Sequence, residues 1–250
     1  MRFGRIAGGF VVAALAFMGR SLLGDTTITV PNGSFESPSV PLAQIASPVI
    51  DSWTATGGNN TGIFPNLPQD ENFGGVVAKR ITNADGLQLA FIGAQYDPTG
   101  TTDNGTPVIN EIYQQLIATY QPGQTYTLSI GVTTSSVQPP SPGSVLRVEL
   151  YYPGTGGSFQ PVAFTLVSSD AATGADNALL KYFTVQTPAV VAGAPYANQP
   201  IGILLATTDN SPATGGTFDM DNVTLVAAVP EPGSVMVLAL TPLALLRRRR

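Results

Sequence analysis

The chain of 250 residues contains no cysteine and no histidine. Without cysteine there is no disulfide framework, so the fold must be stabilised by its core or by bound ions. Without histidine there is no Ser-His-Asp triad, no Cys-His pair and no imidazole-bound zinc. The chemistry that remains available is that of carboxylates, hydroxyls, tyrosines and lysines.

Positive charge is scarce in the middle of the chain. Between Asp25 and Ala228, four cations stand against 15 carboxylates, which gives a formal charge of −11. The four cations are Lys79, Arg80, Arg147 and Lys181. So acidic a domain repels nucleic acid, and we exclude that partner; divalent cations and neutral glycans remain compatible with it.

The N-terminus has the composition of a secretory signal peptide. Arg2 and Arg5 precede an apolar run of 13 residues from Ile6 to Met18, and small residues follow. This order is typical of a removable export signal. We therefore predict that residues 1–24 are a signal peptide, cleaved between Gly19 and Asp25, and that the rest of the chain is exported.

The C-terminus combines three features in order: Pro230-Glu231-Pro232, an apolar stretch from Val235 to Leu246, and the terminal arginines 247–250. The prolines fix φ and lack an N–H, so the motif is extended. The 14 residues from Gly233 to Leu246 would span about 21 Å as a helix. That length is short of a comfortable bilayer span, and Pro242 interrupts it.

This arrangement resembles the PEP-CTERM protein-sorting signal. The resemblance implies that residues 229–250 form a membrane helix that anchors the protein temporarily in the inner membrane. It also implies an exosortase that cuts near Pro230, Glu231 and Pro232 and leaves the protein at the cell surface or in the extracellular matrix. A buried C-terminal core helix is the alternative.

Residues 25–228 are predicted to form one all-β domain, because the segment is rich in Gly, Pro, Thr and Ser and short β-prone runs recur along it. Alternation is clearest in residues 126–130 and 146–150. Residues 110–120 fit a helix or a strand. The predicted strands are 26–30, 76–81, 87–93, 125–133, 145–152, 162–168, 179–187, 201–207 and 217–227. About nine strands indicate a β-sandwich of two antiparallel sheets.

Four motifs in this domain resemble the galactose-binding-like jelly rolls, which include several carbohydrate-binding module families. They are Asn32-Gly33-Ser34-Phe35-Glu36, Trp53, the segment Gln114 to Leu128, and the segment Phe218 to Leu225. The resemblance implies a jelly-roll sandwich in which the first and last motifs lie side by side. It also implies that Trp53 packs as a core or edge anchor.

The same resemblance implies a structural Ca²⁺ held by Glu36 and Asp221. Calcium binds oxygen ligands, and backbone carbonyls near Asn32 or Ser34 would complete the set. The alternative is that Glu36 only accepts backbone amides and that Asp221 caps a turn.

Glycan binding is the further expectation, since such modules stack aromatic side chains on sugars and bond to sugar hydroxyls with amides. The candidate residues are Tyr96, Asn104, Tyr113, Gln114, Tyr152 and Tyr196. The sequence thus predicts a non-enzymatic exported protein that binds glycan or exopolysaccharide. The alternative is a secreted polysaccharide hydrolase that uses carboxylates, with Asp219 and Asp221 as the available pair.

Overall fold

The computed structural model describes residues 25–42, 44–56, 58–66, 72–73, 76–77, 79–94, 110–173, 177–208 and 216–229. One short helix, α1 (Ser169–Ala172), and two 3₁₀ turns (Gly58–Asn60 and Thr155–Gly157) accompany the strands. The strands are β1 (Thr26–Ile28), β2 (Thr54–Ala55), β3 (Thr61–Pro65), β4 (Asn72–Phe73), β5 (Val76–Val77), β6 (Gln88–Ala94), β7 (Glu111–Thr119), β8 (Thr125–Thr134), β9 (Val145–Pro153), β10 (Phe159–Ser168), β11 (Lys181–Gln186), β12 (Pro200–Thr208) and β13 (Gly216–Ala228).

Two antiparallel sheets make up the domain. The first sheet has the order β11-β8-β13-β6-β3, with β1 also paired to β13, and the second has the order β10-β9-β12-β7-β2. Strands β4 and β5 form a separate two-stranded sheet. The predicted all-β sandwich of two antiparallel sheets is confirmed.

Apolar and polar residues alternate along the strands, so the apolar side chains of one face of each sheet pack together in a shared core. On β8, Tyr126, Leu128 and Ile130 point inward, and on β9 Leu146 and Val148 do the same. Trp53 is buried as predicted, and its indole N–H donates to the Asn32 carbonyl at 3.1 Å. The core therefore lies between the sheets, and their outer faces are left for other uses.

Two local predictions need correction. The strand predicted at 76–81 ends at Val77, and Lys79 to Leu87 form an irregular segment that we call the wall segment. Strand β3 lies between the predicted strands 26–30 and 76–81, where the sequence predicts no strand, because Gly62 and Pro65 hide its strand character. The ambiguous residues 110–120 form β7.

A β-bulge at Asn222 divides β13 into two halves of opposite parity. Asp221 pairs with Gly131 and Thr224 with Ser129, so β13 has one extra residue there. Before the bulge, Phe218 and Met220 face the core; after it, Val223, Leu225 and Ala227 do. Asn222 has φ 59°, a left-handed conformation that asparagine tolerates better than most residues.

The bulge also joins the two ends of the domain. The Val223 N–H donates to the Gly33 carbonyl at 2.9 Å, and β1 pairs with β13 beside it. A Cβ at Gly33 would lie 2.5 Å from the Val223 carbonyl oxygen, so glycine permits the close approach. The first and last sequence motifs therefore lie side by side, as the jelly-roll resemblance implies.

Side chains hold the wall segment against the outer face of the first sheet. The Asn66 amide donates to the Ile81 carbonyl at 2.8 Å and accepts the Ile81 N–H at 2.9 Å. Asn83 makes the same pair of bonds with Leu180, at 3.0 and 2.8 Å. Ile81, Leu89 and Leu180 pack together beneath the segment.

No helix in the described part of the chain is long and apolar enough to span a membrane. The predicted signal peptide (1–24) and the motif Pro230, Glu231 and Pro232 with the apolar tail lie outside the described residues. Those predictions therefore stay predictions.

Substitutions of Asn222 separate its backbone role from its side-chain role. The amide donates to the Asn83 carbonyl at 3.2 Å and to the Tyr182 hydroxyl at 2.8 Å. We expect Asn222→Gly, which keeps the left-handed backbone, to lose about 1 kcal/mol of unfolding free energy. Asn222→Leu should lose about 2–3 kcal/mol, because strain is added to the lost bonds. Urea unfolding measures both, and equal losses would show that the backbone conformation does not matter.

Candidate functional site

The outer face of the first sheet carries a cavity beside the wall segment. Its volume is about 200 Å³. Seven apolar residues line it: Ile45, Phe64, Pro65, Ile81, Leu89, Phe91 and Val137. Polar lining comes from Gln44, Asn66, Lys79, Ser135, Ser136, Gln138, Asn177 and Thr217. The cavity therefore combines apolar surface with polar groups, as small-molecule sites do.

Asp219 is the acidic side chain among the described residues that line this cavity. Because Phe218 and Met220 face the core, Asp219 points to the outer face. Its neighbours across the sheet are Phe91 on β6 and Thr133 on β8. The residue is 5% exposed. Strand alternation thus places the Asp219 carboxyl among the apolar side chains that line the cavity.

Burial changes the protonation of Asp219. Desolvation raises the pKa of its carboxyl to about 8, against a smaller lowering by the Thr217 hydroxyl. That hydroxyl donates to Oδ1 of Asp219 at 3.2 Å. At neutral pH the group is therefore mainly a neutral carboxylic acid, which has a proton to give.

A second buried carboxyl, Glu149, differs in one decisive respect. It lies on the outer face of the second sheet and forms an ion pair with Arg147, whose guanidinium lies 4.4 Å from the Phe164 ring centre. Desolvation raises the pKa of Glu149, and Arg147 opposes that shift. Glu149 has a cationic partner that stabilises its charge, so Asp219 is the stronger candidate acid.

Glu36 and Asp221 come together as the resemblance implies. Oε1 of Glu36 accepts the N–H groups of Leu87 and Gln88, at 3.0 and 2.8 Å. Asp221 accepts the N–H groups of Asp85 and Asn222, at 2.6 and 2.7 Å. The carboxylates therefore tie the wall segment and the start of β6 to the bulge of β13.

The charge at this cluster is unbalanced. Burial raises the pKa of Asp221 to about 7, and the negative charges of Asp85 and Glu36 add to that effect. Among the described residues, no group of three or more acidic, histidine or cysteine side chains is placed to hold a metal. Backbone carbonyls and water would have to complete a calcium site there.

The residues predicted to bind glycan do not converge. Tyr96 and Asn104 lie outside the described residues. Gln114 is buried and bonds to the carbonyls of Pro31 and Ser52. Tyr113 packs against Phe159 on the outer face of the second sheet, whereas Tyr152 and Tyr196 pack against the core with ring centres 6.3 Å apart. These side chains fill three separate places.

From the sequence alone, Asp219 is a candidate only as the partner of Asp221 in hydrolysis. The alternation Phe218-Asp219-Met220-Asp221 was the available signal, since it places two carboxyls on the face away from the core. The alternation does not show that apolar side chains of the wall segment and β6 cover Asp219. An irregular segment has no periodicity from which its position could be inferred.

Comparison with known proteins points to a family of enzymes. A family model described as HpiC1-like, HpiC1 cyclase, matches residues 26–226. No curated protein matches the chain.

Solved structures share the fold. A cyclase from Fischerella sp. TAU is 21% identical, covers 83% of this chain and 100% of its own, and has a TM-score of 0.58. A Stig cyclase from the same source, in complex with (3Z)-3-(1-methyl-2-pyrrolidinylidene)-3H-indole, is 21% identical, covers 83% of this chain and 100% of its own, and has a TM-score of 0.59. A Fischerella sp. TAU cyclase in complex with 4-(1H-indol-3-yl)butan-2-one is 22% identical, covers 82% of this chain and 99% of its own, and has a TM-score of 0.58. Carbohydrate-binding modules also match, but a CBM4 structure reaches only 0.38.

The family match overturns the predicted function. The prediction of a non-enzymatic glycan-binding protein is wrong, because the matched family is one of cyclases. The alternative of a polysaccharide hydrolase is also wrong, because the matched family is one of cyclases. None of these comparisons supports the PEP-CTERM resemblance.

The raised pKa of Asp219 predicts a stability effect that needs no substrate. A carboxyl whose pKa is higher in the folded than in the unfolded state stabilises the fold at low pH. That contribution is lost as the pH rises through about 8. Asn keeps the shape without ionising, so Asp219→Asn should raise Tm at pH 9 by about 3–6 °C and have little effect at pH 4. Calorimetry at both pH values tests this, with the exposed Asp170→Asn as control. An equal change at both values contradicts a buried acid at position 219.

Proposed function

The chain belongs to the HpiC1-like cyclase family, and on that premise we propose that it closes a ring in an unsaturated substrate by proton transfer from Asp219. The observation that carries the proposal is the neutral carboxyl of Asp219 in the wall of an apolar cavity. A cyclisation of this kind needs a carboxylic acid that still carries its proton at neutral pH and surroundings that exclude water.

The proposed reaction is an isomerisation. The O–H bond of Asp219 breaks as a C–H bond forms on the substrate, and the remaining cation is attacked by a second π bond of the same molecule. That step forms the new C–C bond and closes the ring. The product cation then returns a proton to the Asp219 carboxylate, which restores the acid without any oxidant or second substrate.

Aromatic side chains beside Asp219 suit a cationic intermediate. Phe91 pairs directly with Asp219 across the sheet, and its ring meets Phe64 edge to face, with centres 6.0 Å apart. Aromatic faces attract cations most strongly where water is excluded. Phe91 therefore offers electrostatic stabilisation that does not capture the intermediate, as water would.

For the substrate we propose a flat, largely apolar molecule with an alkenyl side chain. The cavity lining supports this, since Phe64, Ile81, Leu89 and Phe91 provide mostly apolar contact. The Fischerella cyclases of the same fold were crystallised with indole compounds, so we propose an indole as the flat portion.

We further propose a structural Ca²⁺ beside Glu36 and Asp221. The support is the accumulation of negative charge, since Asp85 and Glu36 both raise the pKa of buried Asp221. Carboxylate oxygens are the ligands that Ca²⁺ prefers. When bound, the ion would neutralise this charge and fix the wall segment; the proton transfer itself uses only Asp219.

We also propose that residues 1–24 direct export of a domain comprising residues 25–228, and that the tail holds it temporarily at the inner membrane before release to the surface or matrix. The inner-membrane and exosortase partners stay predictions. Fractionation of cells that express the full chain and a variant lacking residues 1–24 tests export. Equal amounts of both proteins in the cytoplasm would contradict it.

Asp219 should control the rate of ring closure. We expect Asp219→Asn to lower kcat at least about 10²-fold, the usual contribution of a general acid, while binding of 4-(1H-indol-3-yl)butan-2-one stays within about three-fold. In the wild type, kcat should fall above about pH 8, as the acid ionises. Turnover of alkenyl indoles in D₂O, followed by mass spectrometry, should show one solvent deuterium in the product. The exposed Asp170→Asn is the matched control, and an Asp219→Asn variant that turns over normally would refute the assignment.

Calcium should stabilise the domain if the charge cluster binds it. At 100 times Kd, binding adds about 2.7 kcal/mol, which for a domain of this size raises Tm by about 5–10 °C. Asp221→Asn should abolish the shift, and Asp219→Asn should retain it. Differential scanning fluorimetry with Ca²⁺ and with chelator measures this, and identical melting curves would rule the ion out.

A further inference from the structure

Ser135 lines the cavity directly after the end of β8. Its N–H donates to the Thr217 carbonyl at 3.0 Å, so the pairing of β8 with β13 continues by one residue. Because Val132 faces the core, alternation along the strand places the Ser135 side chain on the outer face. The residue is 8% exposed. Ser135 is therefore a buried polar residue that faces the cavity.

The hydroxyl of Ser135 serves the protein as an acceptor and leaves its donor unused. Its oxygen accepts the N–H groups of Val137 and Gln138, both at 3.3 Å. A serine hydroxyl can accept two hydrogen bonds and donate one. The two accepted bonds leave only the O–H donor, for which no described residue supplies an acceptor. A buried donor without an acceptor is costly, so a molecule that brings an acceptor into the cavity gains affinity.

Other polar side chains of the lining differ from Ser135 in this respect. The Asn66 amide uses both its N–H and its oxygen on Ile81. The Thr217 hydroxyl donates to Asp219. Because these groups already have partners within the protein, they have less to offer a ligand. Among the described residues, Ser135 is the buried hydroxyl of the lining whose proton remains available.

The order of the strands places the candidate acid between this donor and the aromatic part of the cavity. The strands run β8-β13-β6-β3, with Asp219 on β13, Phe91 on β6 and Phe64 on β3. Neighbouring strands lie about 4.8 Å apart, so roughly 10–14 Å separate Ser135 from the two rings. Ser135 is the diagonal neighbour of Asp219 across the β8–β13 pair, a separation of about 7–8 Å. A molecule that contacts the rings and Ser135 must therefore pass over Asp219.

We propose that Ser135 is a substrate-binding residue that donates its O–H to a neutral hydrogen-bond acceptor of the substrate, such as a carbonyl oxygen. This rests on the proposed function, in which the flat apolar portion of the substrate lies against Phe91 and Phe64. Ser135 selects acceptors over donors, because its own lone pairs are already occupied. With one end of the substrate held at the rings and the other at Ser135, the bond fixes which part of the molecule meets Asp219.

Two ligands that differ in one acceptor test this bond. The ketone 4-(1H-indol-3-yl)butan-2-one has a carbonyl oxygen, and 3-butylindole lacks it. Titration calorimetry of the full chain gives the Kd of each ligand. We expect Ser135→Ala to weaken binding of the ketone about 3–10-fold, the net contribution of one neutral hydrogen bond, and to leave binding of 3-butylindole nearly unchanged. Ser135→Thr keeps the hydroxyl and should restore binding of the ketone.

Infrared spectroscopy of the bound ketone, labelled with ¹³C at its carbonyl, reports the same bond directly. A hydrogen bond to the oxygen lowers the carbonyl stretching frequency, so the band should move to higher frequency in Ser135→Ala and return in Ser135→Thr. The matched control is Ser158→Ala, which removes an exposed hydroxyl from a turn of the second sheet. It should change neither Kd nor the band.

A purely structural role predicts a different result. Ser135→Ala also removes the acceptor for the Val137 and Gln138 amides. If only that turn matters, both ligands lose affinity by the same factor and the carbonyl band stays in place, which overturns the inference. Failure of the wild type to bind the ketone overturns it as well. Normal turnover by Asp219→Asn refutes the proposed acid instead, and it leaves the dependence of ketone binding on Ser135 intact, so the two failures are distinguishable.

Discussion

The pairing of β13 with its neighbours is the constraint from which the rest of the molecule follows. This strand bonds to β6, β8 and β1, and its inward residues form part of the core between the sheets. Strict alternation then leaves Asp219 and Asp221 no orientation except the outer face. The same hydrophobic burial that stabilises the sandwich therefore presents two carboxyl groups on the side away from the core.

The role of each of these two carboxyl groups depends on the groups that pack over it. Asp221 accepts two backbone amides and lies beside Glu36 and Asp85, so it serves to attach the wall segment. Asp219 meets apolar side chains and accepts the Thr217 hydroxyl, and desolvation is the largest influence on its pKa. Two chemically identical groups, two residues apart, thus acquire different roles from their surroundings alone.

The sequence predicts the sandwich well because alternation is a local signal. Residues 126–130 and 146–150 alternate cleanly and belong to β8 and β9, each the second strand of its sheet. The first and last motifs meet as their resemblance to jelly rolls implies. The cavity could not be predicted in this way. It depends on Ile81, which comes from an irregular segment, and on Phe64, which comes from a strand that Gly62 and Pro65 conceal. The proposed acid has no signature in the sequence, because a single buried carboxyl leaves no pattern of spacing.

The attachment of the wall segment by side chains has a consequence for access. Its bonds run largely through Glu36, Asn66, Asn83 and Asp221, and the ladders of the two sheets do not include it. Breaking those few contacts leaves every strand pair of the sandwich intact. Local opening can therefore cost far less free energy than global unfolding. The amides of Ile81, Asp85 and Leu87 donate to side chains, so their exposure to solvent requires the loss of these contacts and no unpairing of the sheets.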